Sequence, residues 1–409
     1  MQRAIDILYL SGLFPPELEE EIIRLSVKYV QNAANVLQQE ILSGLESHCP
    51  EKVTVLNSPF IGAWPFRYKT PFIKSSTFSH NSKTLNTNVG YLNVFGVSKL
   101  SQYYVLKRHV KSWVRKPSLN PKVVIAYAAT TVFTKLLTYI KQLDSEIATI
   151  LIVPDLPEYW DTTGKKKFYQ KLIDLEVEKI YDRIKNIDGF VLLTEHMSNR
   201  LNIQVPYTVV EGIAPSKPLT QTKVLNSDNE IRTVLYSGTL SKKYGIVDLI
   251  EAFLKLPNEC YRFVVCGSGE MADYIVQASR NDNRIVFNGL IPRDEVLQLQ
   301  KSATVLVNPR NNNERYTKFS FPSKIMEYLA SGTPVIAYHL DGMPADYRKY
   351  MYTINEDDKN ALFNTLSTVL EKSNEELRLK GEIAQKYVLA EKTATKQVHK
   401  IIKLMNEIL

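Results

Sequence analysis

The sequence predicts an α/β protein with two doubly wound, Rossmann-like domains that face each other across a cleft. Its 409 residues exceed what one hydrophobic core usually supports, so two domains of roughly 200 residues each are expected. In both halves, short apolar runs alternate with longer amphipathic segments, which is typical of parallel sheets with crossover helices. A polar stretch with prolines, residues 211–230, separates the halves and is typical of a linker.

The first half contains five strand patterns and two long helical patterns. The strands are predicted at Ile5–Leu10, Val53–Leu56, Val123–Tyr127, Thr149–Val153 and Phe190–Leu193. The helical patterns cover Glu17–Leu45 and Lys166–Asn186.

The second half repeats this alternation with shorter helices. Strands are predicted at Thr233–Ser237, Arg262–Cys266, Ile285–Asn288, Val305–Asn308 and Val335–Tyr338. Helices are predicted at Ile246–Lys255, Glu270–Ala278, Arg293–Lys301, Ser323–Ser331 and Lys359–Lys372.

These elements predict four segments: a first domain over residues 1–212, a linker over 213–230, a second domain over 231–390, and a helix over 391–409 that packs back on the first domain. Ligands of open α/β sheets bind at the carboxyl ends of the strands. Residues that directly follow strands are therefore the candidates for a site.

The composition excludes some classes of protein but does not identify a ligand. The net charge of +8 is compatible with a phosphorylated substrate or an anionic lipid surface. Neither zinc-ligand spacing nor an RNA-binding aromatic motif occurs, so nucleic acid is disfavoured as a partner. The three cysteines have no redox spacing, and Asp6 interrupts the first apolar run, so we expect a cytoplasmic protein without a signal peptide or a membrane span.

The stretch FPSKIMEYLASGTPVIA, residues 321–337, is the most informative. Pro322 and Ser323 are typical of a helix start at which the serine caps free N–H groups, and such a start attracts phosphate. Glu327 lies one turn further, where a carboxylate accepts hydrogen bonds from sugar or ribose hydroxyls. The alternative, a solvated glutamate on a helix surface, stays open.

A second stretch, VLYSGTLSKKYG, places Gly238 and the basic pair Lys242 and Lys243 between a strand and a helix. This order is typical of a phosphate-binding turn, although two solvated lysines would give the same pattern. After the next strand, VVCGSGE places Gly267 in a tight turn. It lacks the third glycine of a dinucleotide fingerprint, which disfavours hydride transfer.

In the first half, Gly12 follows the first strand and allows a ligand to approach the backbone. Asp155 follows the strand TILIV and falls at the expected site edge, unless it is only a turn former before Pro157. Asn35 lies in the helical pattern that follows Gly12. Residues 99–117 form a basic amphipathic pattern. It suits either a helix on anionic lipid, peripheral on the inner face of the plasma membrane, or a crossover helix with a solvated face.

FPSKIMEYLASGTPVIA, continued by LDGMPADYRKYMYTI, resembles the nucleotide-sugar signature of retaining family-4 glycosyltransferases of the GT-B fold, particularly bacterial enzymes of exopolysaccharide and capsule synthesis. That signature has two glutamates eight positions apart. The second matches Glu327, which in the family binds the nucleotide ribose. The first falls on Phe319, so this chain departs from the signature there.

The resemblance implies further donor contacts. The family has a basic pair on the diphosphate, and its positions here hold Thr239 and Tyr244, so Lys243 and then Lys242 are the nearest candidates. Leu290 falls in the loop whose backbone contacts the base, and Gly12 lies beside the donor phosphate. Gly267 and the segment with Ser320, Phe321, Pro322 and Ser323 complete the implied donor site.

The activity implied by this resemblance is transfer of a sugar, with retention, from a nucleotide diphosphate (UDP is expected) to a saccharide acceptor, free or lipid-linked. Under this resemblance Asp155 and Lys243 are the expected catalytic residues. Asp155 would orient the acceptor hydroxyl, and Asn35 is a candidate acceptor contact. A diphosphate held by lysines and a helix start needs neither a metal nor a further cofactor. Two alternatives stay open: a nucleotide-sugar epimerase, and an inactive partner subunit of another transferase. A dehydrogenase ranks below both.

Overall fold

The computed structural model describes residues 4–27, 30–80, 86–159, 167–215, 231–356, 358 and 360–409. The chain divides into two compact units, Met1–Ile213 with Ala394–Leu409, and Ala214–Thr393. The second boundary lies three residues beyond the expected 390. Residues 216–230 of the expected linker lie outside the described residues.

The first unit is built around one large sheet. The strands of this unit, not all of which belong to the large sheet, are β1 (Asp6–Ser11), β2 (Val53–Asn57), β3 (Phe72–Ile73), β4 (Ser76–Phe78), β5 (Asn86–Asn88), β6 (Tyr91–Leu92), β7 (Lys122–Tyr127), β8 (Ala148–Val153), β9 (Gly189–Leu192) and β10 (Tyr207–Val209). The first helices of the chain are α1 (Glu19–Leu25), α2 (Asn32–His48), α3 (Ser98–Arg115), α4 (Thr131–Leu143), α5 (Lys167–Ile184) and α6 (His196–Leu201).

The large sheet has eight strands in the order β10-β9-β8-β7-β1-β2-β5-β4. All neighbours are parallel except β4 and β5, and β3 and β6 form a separate antiparallel pair. The chain leaves β1 toward β2 on one side and returns to β7 on the other, so the strand order reverses between β1 and β7. Residues after these two strands lie where open α/β sheets bind ligands.

The second unit has a six-stranded parallel sheet in the order β13-β12-β11-β14-β15-β16. Its strands are β11 (Arg232–Ser237), β12 (Tyr261–Cys266), β13 (Ile285–Gly289), β14 (Val305–Asn308), β15 (Val335–Tyr338) and β16 (Tyr352–Ile354). Its helices are α7 (Ile246–Leu254), α8 (Ala272–Asn281), α9 (Arg293–Ser302), α10 (Ser323–Ser331), α11 (Ala361–Leu370) and α12 (Asn374–Glu391). Here the strand order reverses between β11 and β14.

The expectation of one helix over Glu17–Leu45 is wrong, because α1 and α2 are separate. After α1 the chain pairs with a distant segment: Ser26 forms an isolated antiparallel bridge with Tyr68. The N–H of Val27 donates to the carbonyl of Arg67 at 3.0 Å. These long-range bonds replace the helical bonds that would have continued α1.

The last helix, α13 (Ala394–Ile408), belongs to the first unit although it follows the second in the chain. It packs against α2, and the buried side chains of Val398, Ile401 and Met405 join the core formed by the first sheet. A Cβ on Gly44 of α2 would lie 2.4 Å from Val398 Cγ2, so the glycine allows the two helices to approach closely. Among the described residues, no helix is long and apolar enough to cross a membrane.

Substitution of Ile401 tests the contribution of α13 to the first unit. Ile401→Ala should lower the free energy of unfolding of that unit by about 2–5 kcal/mol, because the isoleucine is fully buried and leaves a cavity. Hydrogen exchange of the β7 and β8 amides measures this unit separately. Leu409→Ala, at a position 41% exposed, is the control and should cost less than about 0.5 kcal/mol. Equal effects of the two changes would contradict the docking of α13.

Candidate functional site

Two loops at the carboxyl edge of the second sheet lie backbone against backbone. They follow β11 and β12, and the N–H of Gly238 donates to the carbonyl of Cys266 at 3.0 Å. Gly267 has φ 141°, and a Cβ there would lie 1.8 Å from the carbonyl oxygen of Gly238. Only glycine fits this approach. The predicted turn at Gly267 thus lies directly beside the Gly238 turn.

A buried chain of hydrogen bonds runs from the end of β11 to Glu327. Gln300 is fully buried, and its Nε2 donates to Glu327 Oε1 at 2.7 Å and to Ser237 Oγ at 3.1 Å. The Tyr328 hydroxyl accepts from the N–H of Ser237 at 2.9 Å. Within the described chain, Gln300 Oε1 has no hydrogen-bond partner. This chain holds Glu327 at a fixed position relative to the strand end.

Glu327 is not a solvated surface residue, because its side chain is only 14% exposed. Lys324 Nζ lies 2.8 Å from Oε1 and Arg293 Nη2 lies 3.5 Å from Oε2. Burial acts to raise the pKa of the carboxyl, but the charge of Lys324, the bonds from Gln300 and Lys324, and the charge of Arg293 together lower it below its usual value. The group is therefore a carboxylate at neutral pH.

The basic loop after β11 forms a short 3-10 turn, Lys242–Tyr244. Lys242 and Lys243 are both exposed. Glu270 holds the base of the turn by accepting from Ser241 Oγ at 2.8 Å and from the Lys242 N–H at 3.2 Å. Lys243 Nζ lies 5.2 Å from the centroid of the Tyr244 ring. Both lysines are available to an anion at this edge of the sheet.

Arg310, two residues after β14, is a further cation at this sheet edge that was not predicted from the sequence, as Lys324 and Arg293 were not. Its guanidinium carbon lies 5.6 Å from the Tyr244 ring centroid and 4.6 Å from that of Tyr316. Its Nη2 donates to Ser320 Oγ at 2.6 Å, whereas Nε is buried without a hydrogen-bond partner among the residues described here. Arg310 and Lys243 thus both approach Tyr244, at the point where the strand order reverses.

The start of α10 differs from the expectation in its cap. Pro322, not Ser323, is the N-cap residue. In the described structure no N-cap side chain accepts a hydrogen bond from the first turn of this helix. Proline has no side-chain acceptor, and Ser323 is the first residue inside the helix and not its N-cap residue. Phe321 is buried against Tyr347, with ring centroids 5.3 Å apart. The first turn of α10 therefore keeps backbone donors for an anion.

Phe319 and Leu290 differ sharply in exposure. Phe319, where the nucleotide-sugar signature would have its first glutamate, is 8% exposed and ends a short 3-10 turn, Thr317–Phe319. A buried aromatic ring replaces the carboxylate there. Leu290 directly follows β13 and is 81% exposed, so its side chain is open to a ligand at the sheet edge.

In the first unit, Gly12 is fixed by packing. Its N–H donates to Gln38 Oε1 at 2.6 Å, and a Cβ there would lie 2.1 Å from Phe60 Cδ1. Asn35, a candidate acceptor contact, is 1% exposed and accepts from the N–H of Phe14 at 2.7 Å. These two amide side chains hold the turn after β1.

Asp155 lies two residues beyond β8 and is exposed at the carboxyl edge of the first sheet. It is close enough to Tyr127, at the end of β7, that its negative charge adds to the effect of burial in raising the pKa of that phenol. The Asp155 carboxylate thus lies near the carboxyl end of β7, where the strand order of the first sheet reverses.

Comparison with known proteins identifies the fold. Residues 219–387 match the family model described as "Glycosyl transferases group 1". A search of curated protein sequences found no match. Sucrose-phosphate synthase from Thermosynechococcus elongatus superimposes with a TM-score of 0.66 at 15% identity, over 98% of this chain and 99% of that one. The chain has the GT-B fold.

Two further solved structures are similar over their full lengths. The UDP-forming α,α-trehalose-phosphate synthase from Burkholderia vietnamiensis has a TM-score of 0.65 at 9% identity, over 99% of both chains. HepE from Anabaena, solved in complex with UDP, has a TM-score of 0.60 at 12% identity, over 98% of this chain and 100% of that one. The predicted fold class is thereby confirmed, and the family match supports a transferase.

The charge state of Glu327 gives a prediction for stability against pH. Glu327→Gln should lower the free energy of unfolding of the second unit by about 1–3 kcal/mol near pH 7. A carboxylate whose folded pKa is lowered contributes stability above its unfolded pKa, and this is lost as the pH falls through the folded pKa. The difference between wild type and variant should therefore shrink as the pH falls below the usual value of 4.5.

Urea denaturation near pH 7 and near pH 4, with hydrogen exchange in β11 and β14, measures this effect. Glu314→Gln, at an exposed position of the same unit, is the control and should change stability by less than about 0.5 kcal/mol at both pH values. A Glu327→Gln effect that stays the same across the pH range would contradict the ionised, charge-paired carboxylate.

Proposed function

We propose that this chain is a retaining, family-4 type glycosyltransferase that moves a sugar from UDP to a saccharide acceptor, free or lipid-linked, in the synthesis of a cell-surface polysaccharide such as an exopolysaccharide or capsule. Its main support is the position of Glu327, a buried, ionised carboxylate at the carboxyl edge of a sheet whose residues match a glycosyltransferase family model. The proposed site of action is the cytoplasm.

Glu327 is suited to hold the nucleotide ribose. An ionised carboxylate offers about four acceptor positions, and the described side chains that donate to it use only part of this capacity: Gln300 and Lys324 approach Oε1, while Oε2 has only the longer contact to Arg293. Two ribose hydroxyls can therefore donate to it through strong, charge-assisted bonds. Because Gln300 fixes the carboxylate, little side-chain freedom is lost on binding.

The diphosphate would lie between the Gly238 turn, the first turn of α10 and the cations of the basic loop. Lys243 and Lys242 are exposed there, and Arg310 adds a guanidinium over the Tyr244 ring. The family positions for the basic pair hold Thr239 and Tyr244 in this chain. Arg310 supplies, from the neighbouring strand end, the positive charge that these two residues lack.

The proposed reaction is a substitution on one face of the anomeric carbon. The bond from that carbon to the diphosphate oxygen breaks, and a bond to the acceptor oxygen forms on the same face. The acceptor proton passes to the departing phosphate oxygen, so the protein contributes positioning and stabilisation of the diphosphate charge. Asp155 would orient the acceptor hydroxyl, and Lys243 would stabilise the leaving group. No further cofactor is part of this proposal.

The choice of UDP rests on similar proteins. Two of the structures with this fold are described as UDP-forming or as complexes with UDP. Leu290, exposed after β13, would offer an apolar surface to the base, whose polar edge would face backbone groups of the same loop.

A nucleoside diphosphate binding assay tests the proposal first. UDP should raise the melting temperature of the wild type, because a ligand that binds only the folded state stabilises it by mass action. Glu327→Ala and Glu327→Gln should lose most of this shift, whereas the control Glu314→Gln should keep it. GDP, ADP, CMP and NAD are compared at the same concentrations.

The outcomes separate the alternatives. No stabilisation of a folded wild type by any nucleotide would overturn the proposal and favour an inactive partner subunit. Conversion of a UDP-sugar to an isomer without acceptor would instead identify an epimerase. Release of UDP that depends on a saccharide acceptor, with the anomeric configuration kept, is the result expected of a retaining transferase.

Arg310 gives a sharper test of the diphosphate site. Arg310→Gln should weaken binding of UDP by about 10–100-fold, the range of a lost charged hydrogen bond, and should weaken UMP binding less. The ratio of UDP to UMP affinity, measured by calorimetry, should therefore fall. Arg315→Gln, exposed in the same loop, is the matched control. An unchanged ratio in Arg310→Gln would exclude Arg310 from the diphosphate site while leaving UDP binding itself intact.

A further inference from the structure

The distribution of charge along the chain is strongly uneven. Residues 52–143 contain fourteen lysines and arginines and no aspartate or glutamate. The whole chain carries +8, so everything outside this segment has a net charge of −6. The segment lies entirely within the first unit. Its surface has no carboxylate of its own to repel an anionic partner.

The same segment exposes large apolar side chains close together. We call the following six residues the apolar patch, with exposed fractions in parentheses: Trp64 (37%), Phe66 (65%), Phe72 (66%), Phe95 (50%), Leu100 (53%) and Tyr104 (62%). Single exposed apolar residues are ordinary, but a group of this size on one surface marks an interaction site.

Backbone pairing holds the apolar patch in place. The N–H of Trp64 donates to the carbonyl of Asn93, and that of Phe95 donates to the carbonyl of Trp64, both at 2.9 Å. The rings of Phe66 and Phe95 therefore meet edge to face, with centroids 5.5 Å apart. Phe72 belongs to β3, which pairs with β6.

A buried asparagine ties these loops to the helix that follows. Asn93 is 1% exposed, and its Nδ2 donates to the carbonyl of Gly62 at 2.9 Å while its Oδ1 accepts from Ser98 Oγ at 3.0 Å. The apolar side chains are thus exposed on a hydrogen-bonded framework.

Helix α3 extends the apolar patch with a basic stripe. Leu100, Tyr104, Arg108, Lys111 and Arg115 follow one another at spacings of three or four residues, so they share one face. All five are exposed, whereas Leu106, Val110 and Val114 are buried on another face. The exposed face is apolar at its start and basic at its end.

We propose that the apolar patch and the basic stripe of α3 dock this chain on the surface of an anionic lipid bilayer. Aromatic and aliphatic side chains insert at the boundary of headgroups and acyl chains, and lysine and arginine bind the anionic headgroups beside them. A bilayer combines an apolar layer with a uniformly negative surface, which matches a segment that exposes apolar and basic side chains and contains no acidic residue. Glu176 of α5, which pairs with Lys99 at the start of α3, is an acidic neighbour of this surface. A protein partner would present charges of both signs.

This docking does not depend on transferase activity. Its consequence for catalysis, delivery of a lipid-linked acceptor to the first unit, rests on the proposed function. Vesicle binding and nucleotide binding are separate measurements, so the failure of one leaves the other interpretable.

Sedimentation of the full chain with vesicles tests the inference. The wild type should bind vesicles of phosphatidylcholine with phosphatidylglycerol and bind phosphatidylcholine alone much less, and raised salt should weaken this binding. The double variant Phe66→Ser, Phe95→Ser should bind at least about ten-fold more weakly. The double variant Arg108→Gln, Lys111→Gln should lose about thirty-fold at low salt.

Leu379→Ser provides the matched control, because Leu379 is 50% exposed on α12 in the other unit and should leave vesicle binding unchanged. The melting temperature of each variant is measured alongside. Equal binding of the wild type and both double variants, or no binding of the wild type to anionic vesicles, would overturn the inference. So would a dimer in sedimentation velocity that Phe66→Ser, Phe95→Ser abolishes while vesicle binding is absent, since a second copy would then be the partner.

Discussion

A carboxylate removed from water must be compensated by hydrogen bonds and positive charge, and the second unit is arranged around one such group. The Glu327 carboxylate accepts hydrogen bonds from Gln300 of α9 and from Lys324 of its own helix. Gln300 also donates a hydrogen bond to Ser237 at the end of β11. One buried amide therefore fixes a strand end and two helices relative to the carboxylate. The positions of the Gly238 turn and the α10 start depend on the same contacts.

The edge of that sheet brings together residues that are far apart in the sequence. Where the strand order reverses between β11 and β14, side chains from two loops that are far apart in sequence become neighbours. Arg310 reaches the Tyr244 ring in this way. Under the proposed function, Arg310 after β14 would supply the cation that the loop after β11 lacks, since that loop carries threonine and tyrosine at the family positions.

Most of the fold could be predicted from the sequence, because buried parallel strands are near-continuous apolar runs. All ten predicted strands exist with ends within one residue of those expected, and Ser323–Ser331 is matched at both ends. The break between α1 and α2 could not be predicted from the sequence, because it depends on the pairing of Ser26 with Tyr68. Glu327 was recognisable from its helix, whereas Gln300 and Arg310 matter through contacts with residues distant in sequence that no local pattern contains.

The docking of α13 has a consequence for the order in which the protein forms during translation. The second unit is one continuous segment, so its sheet can close as soon as residue 393 leaves the ribosome. The first unit, although synthesised earlier, lacks Val398, Ile401 and Met405 until the following helix emerges. Its apolar face beside α2 then stays open to solvent or to chaperones throughout that interval, so the half of the chain made first is the half completed last.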